Sequence, residues 1–148
     1  GNVAAMTRGL KMPKNILLGA TIVNQEEADR DIPKLRSIPH VRRFLSMEPL
    51  LGEVDLAHND KLTSNDRYPI HWVIVGGESG PNARPMVVGW AKRIVRDCRA
   101  AGVPVHVKQL GRCPTNREGE PHPVTDDKGK FMSEWPEILR VQEFPGGA

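Results

Sequence analysis

The sequence has 148 residues, the usual length of one domain, of which 39% are hydrophobic and 26% charged, as in ordinary globular proteins. Its 21 basic and 18 acidic residues leave a net charge of only +3, which is too small to indicate nucleic-acid binding without a local basic patch. No stretch approaches the roughly 20 consecutive apolar residues of a membrane-spanning helix, and two cysteines are too few for a disulfide framework or a four-thiolate metal site. We therefore expect a protein of the reducing cytoplasm, without a membrane segment or a bound metal.

Four short apolar runs predict the strands. Each is rich in Val, Ile and Leu and is bounded by Pro, Gly, Asn or Asp, as in strands of parallel sheets. The runs are residues 15–23, 41–51, 70–78 and 103–110. We expect these strands to be buried on both faces.

Two helices are predicted between the runs. Because Pro33 is unfavourable inside a helix, we expect a turn at 25–30 and a helix that begins near Asp31, with Pro33 in its first turn. Apolar residues recur every three or four positions from Val87 to Ala101, and Gly102 follows as a stop signal. This helix lies between two predicted strands, which indicates a right-handed βαβ unit.

The remaining segments predict loops within a single domain of residues 1–148. Residues 53–69 have no sustained period, and the chain after Gly111 is rich in turn-forming residues, with one short capped helix expected near Ser133. We divide the domain into a leader at 1–12, a region of βα units at 13–111 and a loop-rich tail at 112–148.

Polar and charged residues end all four runs. Parallel α/β proteins bind ligands beyond the carboxyl ends of their strands, so these residues predict a site. If helices cover the neighbouring Leu45, Met47, Val105 and Val107, the alternation along a strand directs Glu48 and Lys108 toward the same face. Such a pair is either a structural ion pair or a holder of ligand.

The turn GGESGPNARP after the third run has no motif of acyl or phosphate chemistry. One interpretation is that Gly76 and Gly77 let a ligand approach the main chain while Glu78 accepts hydrogen bonds and Arg84 binds a carboxylate or phosphate. A tight turn without a ligand explains the glycines equally well. No catalytic residue is predicted, and the candidate cofactor-binding residues are Asn24, Glu48, Gly76, Gly77, Glu78, Arg84, Lys108 and Gln109.

The segments SMEPLLG, WVIVGGESGPNARPM and VKQLG lie within residues 12–111. They resemble the later portion of a phage and mobile-element protein family of unknown function, which is similar to radical S-adenosylmethionine enzymes. The resemblance implies an α/β fold with parallel βα units in a partial, half TIM-like barrel, and S-adenosylmethionine as a possible cofactor. The family's three-cysteine motif for an iron–sulfur cluster has no counterpart in this chain. The implied function is therefore the cofactor- and substrate-binding part of such a barrel, inactive alone.

A partial barrel has unpaired strand edges, which favour association. We expect a homo-oligomer such as a dimer, or a missing N-terminal barrel half as the partner, unless the tail folds over the exposed side. The alternative function is a ligand- or nucleic-acid-binding module of a mobile genetic element. Its nucleic-acid surface would be the basic face of the second helix, with Lys92, Arg93, Arg96 and Arg99.

Overall fold

The computed structural model describes residues 13, 15–62 and 68–146, so the predicted leader at 1–12 lies outside the described residues. The strands are β1 (Leu17–Thr21), β2 (Arg42–Met47), β3 (Trp72–Gly76), β4 (Met86–Val87), β5 (Val105–Gln109) and β6 (Pro114–Thr115). The helices are α1 (Gln25–Arg36) and α2 (Val88–Ala101). Short 3-10 helices span His58–Asp60, Met132–Glu134 and Glu137–Leu139.

The main sheet contains the four predicted strands. Its order is β1-β2-β3-β5, and all three pairings are parallel. Strands β4 and β6 form a separate two-stranded parallel sheet. The prediction of a parallel α/β fold is confirmed, whereas the main sheet formed by the described residues is open and does not close into a barrel.

Only one face of the main sheet is covered by helices. In β2, Arg43, Leu45 and Met47 are buried, and the alternating residues are only half-buried. The buried strand residues share one hydrophobic cluster with those of both helices, so α1 and α2 pack on the same side. The opposite side, here called the open face, carries Gly19, Thr21, Phe44, Ser46, Trp72, Ile74, Gly76, His106 and Lys108. The expectation that the strands are buried on both faces is therefore wrong, because only one layer of helices is present in the described part of the chain.

Helix α1 begins six residues earlier than the position predicted near Asp31. Asn24 Oδ1 accepts a hydrogen bond from Glu27 N at 3.0 Å, and Glu27 Oε2 accepts one from Val23 N at 3.0 Å. This arrangement is a variant of the capping box, in which the Glu27 side chain accepts from the residue before the N-cap, and it fixes the first turn of the helix. Pro33 is accommodated inside the helix, whose buried Ala28, Ile32 and Leu35 provide the core packing that stabilises helices in proteins.

The tail packs more deeply than its loop-forming composition indicates. Trp135 is only 1% exposed, belongs to the hydrophobic cluster and donates from Nε1 to Gly129 O at 2.8 Å. The helix expected near Ser133 is replaced by two 3-10 turns separated by Trp135 and Pro136. Pro136 has no N–H donor and disfavours a helical residue before it, which explains the interruption.

Residues 141–146 form a C-terminal strap across the edge of the sheet. Val107 N donates to Val141 O at 2.9 Å, and Glu143 N donates to Val105 O at 3.0 Å, which covers the outer edge of β5. The Phe144 ring then lies on the open face, with its centroid 5.5 Å from Trp72 and 5.1 Å from His106. The tail therefore protects one of the two outer edges of the sheet and part of its open face.

Candidate functional site

Three of the predicted site residues form one hydrogen-bonded group at the carboxyl ends of β2 and β5. Lys108 Nζ lies 3.1 Å from both carboxylate oxygens of Glu48, and Gln109 Nε2 donates to Glu48 Oε1 at 3.0 Å. Gln109 Nε2 also donates to Gly77 O at 3.2 Å. We call Glu48, Lys108 and Gln109 the rim cluster. Its formation confirms that Glu48 and Lys108 point to the same face.

A β-bulge explains how adjacent residues of β5 both reach Glu48. The register between β3 and β5 shifts after Val75, so that Gly76 pairs with Gln109. A bulge redirects side chains that would otherwise alternate between faces. A Cβ atom on Gly76 would lie 3.5 Å from Glu48 Cγ and 3.6 Å from Gln109 Cγ. These are ordinary contact distances, and the closest atom to such a Cβ would be the backbone oxygen of Gln109 at 3.2 Å, so Gly76 lies in contact with the rim cluster.

The rim cluster combines the anchored carboxylate of Glu48 with the exposed ammonium group of Lys108. The Glu48 side chain is 19% exposed and is fixed by Gln109, which is buried, whereas the Lys108 side chain is 55% exposed. An exposed ion pair of this kind contributes only about 0–1 kcal/mol to stability. Separating Lys108 from Glu48 therefore costs little.

Next to the rim cluster, on the side away from the carboxyl ends of the strands, the open face is partly polar. Thr21, Ser46, Ile74 and His106 lie side by side in the strand register. His106 Nδ1 is buried and has no hydrogen-bond partner among the described residues. Burial, followed by the charge of Lys108, lowers the pKa of His106 below its ordinary value, so this imidazole is neutral at pH 7.

Glu78 and Arg84 form a second, separate group within the turn after β3. Glu78 Oε2 accepts from Arg84 Nε and from Arg84 N, both at 2.8 Å, and Glu78 Oε1 accepts from Arg84 Nη2 at 2.7 Å. The side-chain and backbone hydrogen bonds of Arg84 lower the pKa of Glu78 to about 2. Both carboxylate oxygens are thus engaged in closing the turn, which is the structural alternative that the sequence left open.

Gly77 in this turn and Gly111 after β5 allow close packing of two backbones. A Cβ atom on Gly77 would lie 2.1 Å from Leu110 O, and one on Gly111 would lie 2.6 Å from Glu78 O. Gly111 also has a φ of +81°, which favours glycine. Gly77 N donates to Gln109 O, and Arg112 N donates to Glu78 O, so the two chains remain paired beyond the sheet. The close approach of the two backbones therefore explains the glycines at 77 and 111 without a ligand.

Asn24, the remaining predicted site residue, serves the fold by capping α1. Next to it, Gln25 Oε1 accepts from Asp55 N at 2.7 Å and fixes the loop after β2. Sequence reasoning thus selected eight candidate residues at the strand ends and in the turn after β3, and the structure brings Glu48, Gly76, Lys108 and Gln109 together. It missed His106 as the polar residue directly below the rim, although the parity of β5 places His106 and Lys108 on the same face.

The basic face of α2 is partly neutralised. Arg93 Nη2 lies 2.6 Å from Asp55 Oδ2, and Arg93 Nη1 lies 3.6 Å from Glu53 Oε1. A groove of about 540 Å³ lies between the first turns of α2 and the loop at 115–123, and none of the predicted site residues lines it. Among the described residues, no group of three or more His, Cys, Asp or Glu side chains is placed to hold a metal ion. Neither helix in the described part of the chain is long and apolar enough to cross a membrane.

Together these features define an α/β protein with an open parallel sheet and a polar cluster at its carboxyl edge. The chain belongs to a family of proteins of unknown function, DUF5131, whose model matches residues 2–136. No curated protein and no solved structure matches the chain.

Proposed function

We propose that this chain binds a small polar ligand at the rim cluster, as the cofactor- and substrate-binding part of a radical S-adenosylmethionine-like barrel protein of phage or mobile-element origin. The observation that carries the proposal is the grouping of Glu48, Lys108 and Gln109 on the open face, at the strand ends where parallel α/β proteins bind ligands. The sequential order of parallel strands, with helices on one face only, supports the barrel interpretation. An N-terminal barrel half would complete it.

An iron–sulfur cluster does not fit the residues of this chain. Such a cluster needs three closely placed thiolates, and the sequence has two cysteines. Cys98 lies buried in the core face of α2, where burial raises the pKa of its thiol, and Cys113 lies in the loop before β6. We therefore propose that the chain alone is catalytically silent and binds its ligand without transforming it. Two free thiols are in keeping with the reducing cytoplasm.

S-adenosylmethionine fits the rim cluster chemically. Glu48 and the amide oxygen of Gln109 provide acceptors for an ammonium group or for ribose hydroxyls, and the exposed ammonium of Lys108 provides a donor for a carboxylate. When bound, S-adenosylmethionine supplies an activated carbon–sulfur bond. The residues of this chain would hold and orient the molecule.

A thermal-shift series tests the proposal. We expect S-adenosylmethionine to raise the unfolding temperature, because a ligand at 100 times its dissociation constant adds about 2.7 kcal/mol of apparent stability. Nucleotides and a short DNA duplex serve as parallel samples. Stabilisation by DNA alone, lost at high salt, would instead favour the nucleic-acid function of the basic helix face. No stabilisation by any small molecule would contradict the proposal.

A further inference from the structure

His106 is a half-buried polar residue of the open face whose hydrogen bonds the described part of the chain does not supply. Its Nδ1 atom is buried without a partner, and neither ring nitrogen forms a hydrogen bond with a described residue. The other nitrogen, Nε2, is accessible on the open face. Buried polar groups without a partner are rare in proteins, and a binding or catalytic role is one of the recognised reasons for them.

Two aromatic side chains hold the imidazole of His106 in place. The Trp72 ring centroid lies 6.1 Å from it at an interplanar angle of 85°, and the Phe144 ring centroid lies 5.1 Å from it at 68°. Such edge-to-face contacts are favoured between rings. Both aromatic rings lie toward the amino ends of the strands, on the opposite side of the imidazole from the rim cluster. The imidazole is therefore fixed in its orientation without being separated from the rim cluster by another ring.

The buried Nδ1 atom decides which nitrogen of His106 carries the proton. A neutral imidazole has one N–H donor and one acceptor nitrogen. With the proton on Nδ1, a buried donor would have no acceptor, and orphaned buried N–H groups are rarer in proteins than unused acceptors. The favoured form therefore has its proton on Nε2. The accessible nitrogen of the ring is then a hydrogen-bond donor.

Lys108 provides a second donor on the open face, two residues further along β5. Residues at this spacing in a strand point to the same face and lie roughly 6.6 Å apart. A carboxylate has two acceptor oxygens, so one that lies between the two residues accepts from both. The Glu48 carboxylate repels another anion, which favours the His106 side of Lys108 for the negative group of a ligand.

We infer that His106 is a fourth ligand-binding residue of the site at the rim cluster, and that its Nε2–H donates, together with the Lys108 ammonium group, to a carboxylate of the ligand. The inference rests on the proposed function and narrows its ligand class. The ligand carries a carboxylate on the His106 side and an ammonium or hydroxyl group within reach of Glu48. Because the open face stays free of any further protein segment, the inference is compatible with an N-terminal barrel half.

Isothermal titration calorimetry of the full chain with two related probes tests the inference. S-adenosylmethionine carries the carboxylate, and decarboxylated S-adenosylmethionine lacks it. His106→Phe keeps an aromatic ring against Trp72 and Phe144 but removes the donor. In this variant we expect the affinity for S-adenosylmethionine to fall at least about tenfold, since the hydrogen bond lost is one to a charged group. The affinity for the decarboxylated probe is expected to stay within about twofold.

His106→Gln is the matched control, because its side-chain amide keeps an N–H donor on the same face. We expect it to bind S-adenosylmethionine more tightly than His106→Phe does. Urea denaturation verifies that both variants are folded. A measurement without any variant is the NMR spectrum of the imidazole nitrogens in the unmodified, ligand-free chain, which is expected to show the proton of His106 on Nε2.

The outcomes separate this inference from the proposed function. Equal affinity of the unmodified chain and His106→Phe for S-adenosylmethionine would overturn the inference and leave the site at the rim cluster standing. An equal loss for both probes, or a proton on Nδ1, would also overturn it. No binding of either probe to the unmodified chain would overturn the proposed function and the inference with it.

Discussion

Lys108 Nζ lies 3.1 Å from both carboxylate oxygens of Glu48, although the two residues are 60 positions apart in the sequence. The pair exists because β2 and β5 run parallel and end at the same edge, and because helices cover the alternate residues of both strands. Gln109 donates a hydrogen bond that anchors the Glu48 carboxylate, while the Lys108 ammonium group remains exposed. The pair therefore combines an anchored acceptor with an exposed donor.

The first prediction concerns the weak contribution of this pair to stability. Glu48→Gln removes the charge and keeps the shape, so we expect the free energy of unfolding to change by less than about 1 kcal/mol. Urea denaturation measures it, with Glu137→Gln, an exposed residue of the tail, as the control. A much larger loss would mean that the carboxylate is primarily structural.

The second prediction concerns pH and Glu78. Its folded-state pKa of about 2 is below the ordinary value of 4.5. The unfolded chain therefore binds the proton first, and the stabilisation by the Arg84 pair is complete above about pH 4.5 and is lost as the pH falls toward 2. We expect the unfolding free energy of the unmodified protein to rise more steeply with pH in this window than that of Glu78→Gln. Parallel pH curves for the two proteins would contradict the assignment.

The third prediction concerns Arg43, which is 1% exposed. Its guanidinium donates to the carbonyl oxygens of Leu35, Ile38 and Val41, and thereby satisfies the end of α1 and the loop before β2. Arg43→Met leaves these carbonyls without their donor, and we expect a loss of about 3 kcal/mol or more.

The adjacent arginine provides a matched control for this prediction. Arg42 lies on the open face and donates to Gly146 O. We expect Arg42→Met to cost less than about 1 kcal/mol, because water can replace this donor. Equal losses in the two variants, measured by urea denaturation, would refute the structural role of Arg43.

The fourth prediction contrasts two glycines. Gly77→Ala places a Cβ atom 2.1 Å from a backbone oxygen, and we expect it to destabilise the protein by about 3 kcal/mol or more. Gly89 lies inside α2, and an added Cβ would meet nothing closer than 3.8 Å, so Gly89→Ala is expected to stabilise by roughly 0.5 kcal/mol. Thermal unfolding of both variants measures the difference. Tolerance of alanine at position 77 would contradict the close approach of the two backbones.

The sequence predicts the positions of the strands but not their burial, because apolar runs bounded by turn-forming residues are typical of parallel sheets. Runs of Val, Ile and Leu located β1, β2, β3 and β5, and strand parity placed Glu48 beside Lys108. Helix α2 was located by its periodicity and by Gly102, whose φ of +66° ends the helix.

The features that the sequence did not predict depend on contacts between distant segments or on competing local signals. Pro33 obscured the start of α1, although Asn24 and Glu27 have the spacing of a capping box. The bulge that directs Gln109 toward Glu48 has only the pair Gly76 and Gly77 as a local indication. The C-terminal strap has no strong strand pattern of its own, because its pairing is supplied by the edge of β5.

The most direct test of the central claim is the affinity of the rim cluster for S-adenosylmethionine, measured by isothermal titration calorimetry on the unmodified chain, Glu48→Gln and Glu137→Gln. We expect binding to the unmodified chain and to Glu137→Gln, and at least about tenfold weaker binding to Glu48→Gln, since loss of one charged hydrogen bond costs about 1.5–3 kcal/mol. Equal affinity in all three folded proteins, or no binding to any of them, would contradict a ligand site at Glu48, Lys108 and Gln109.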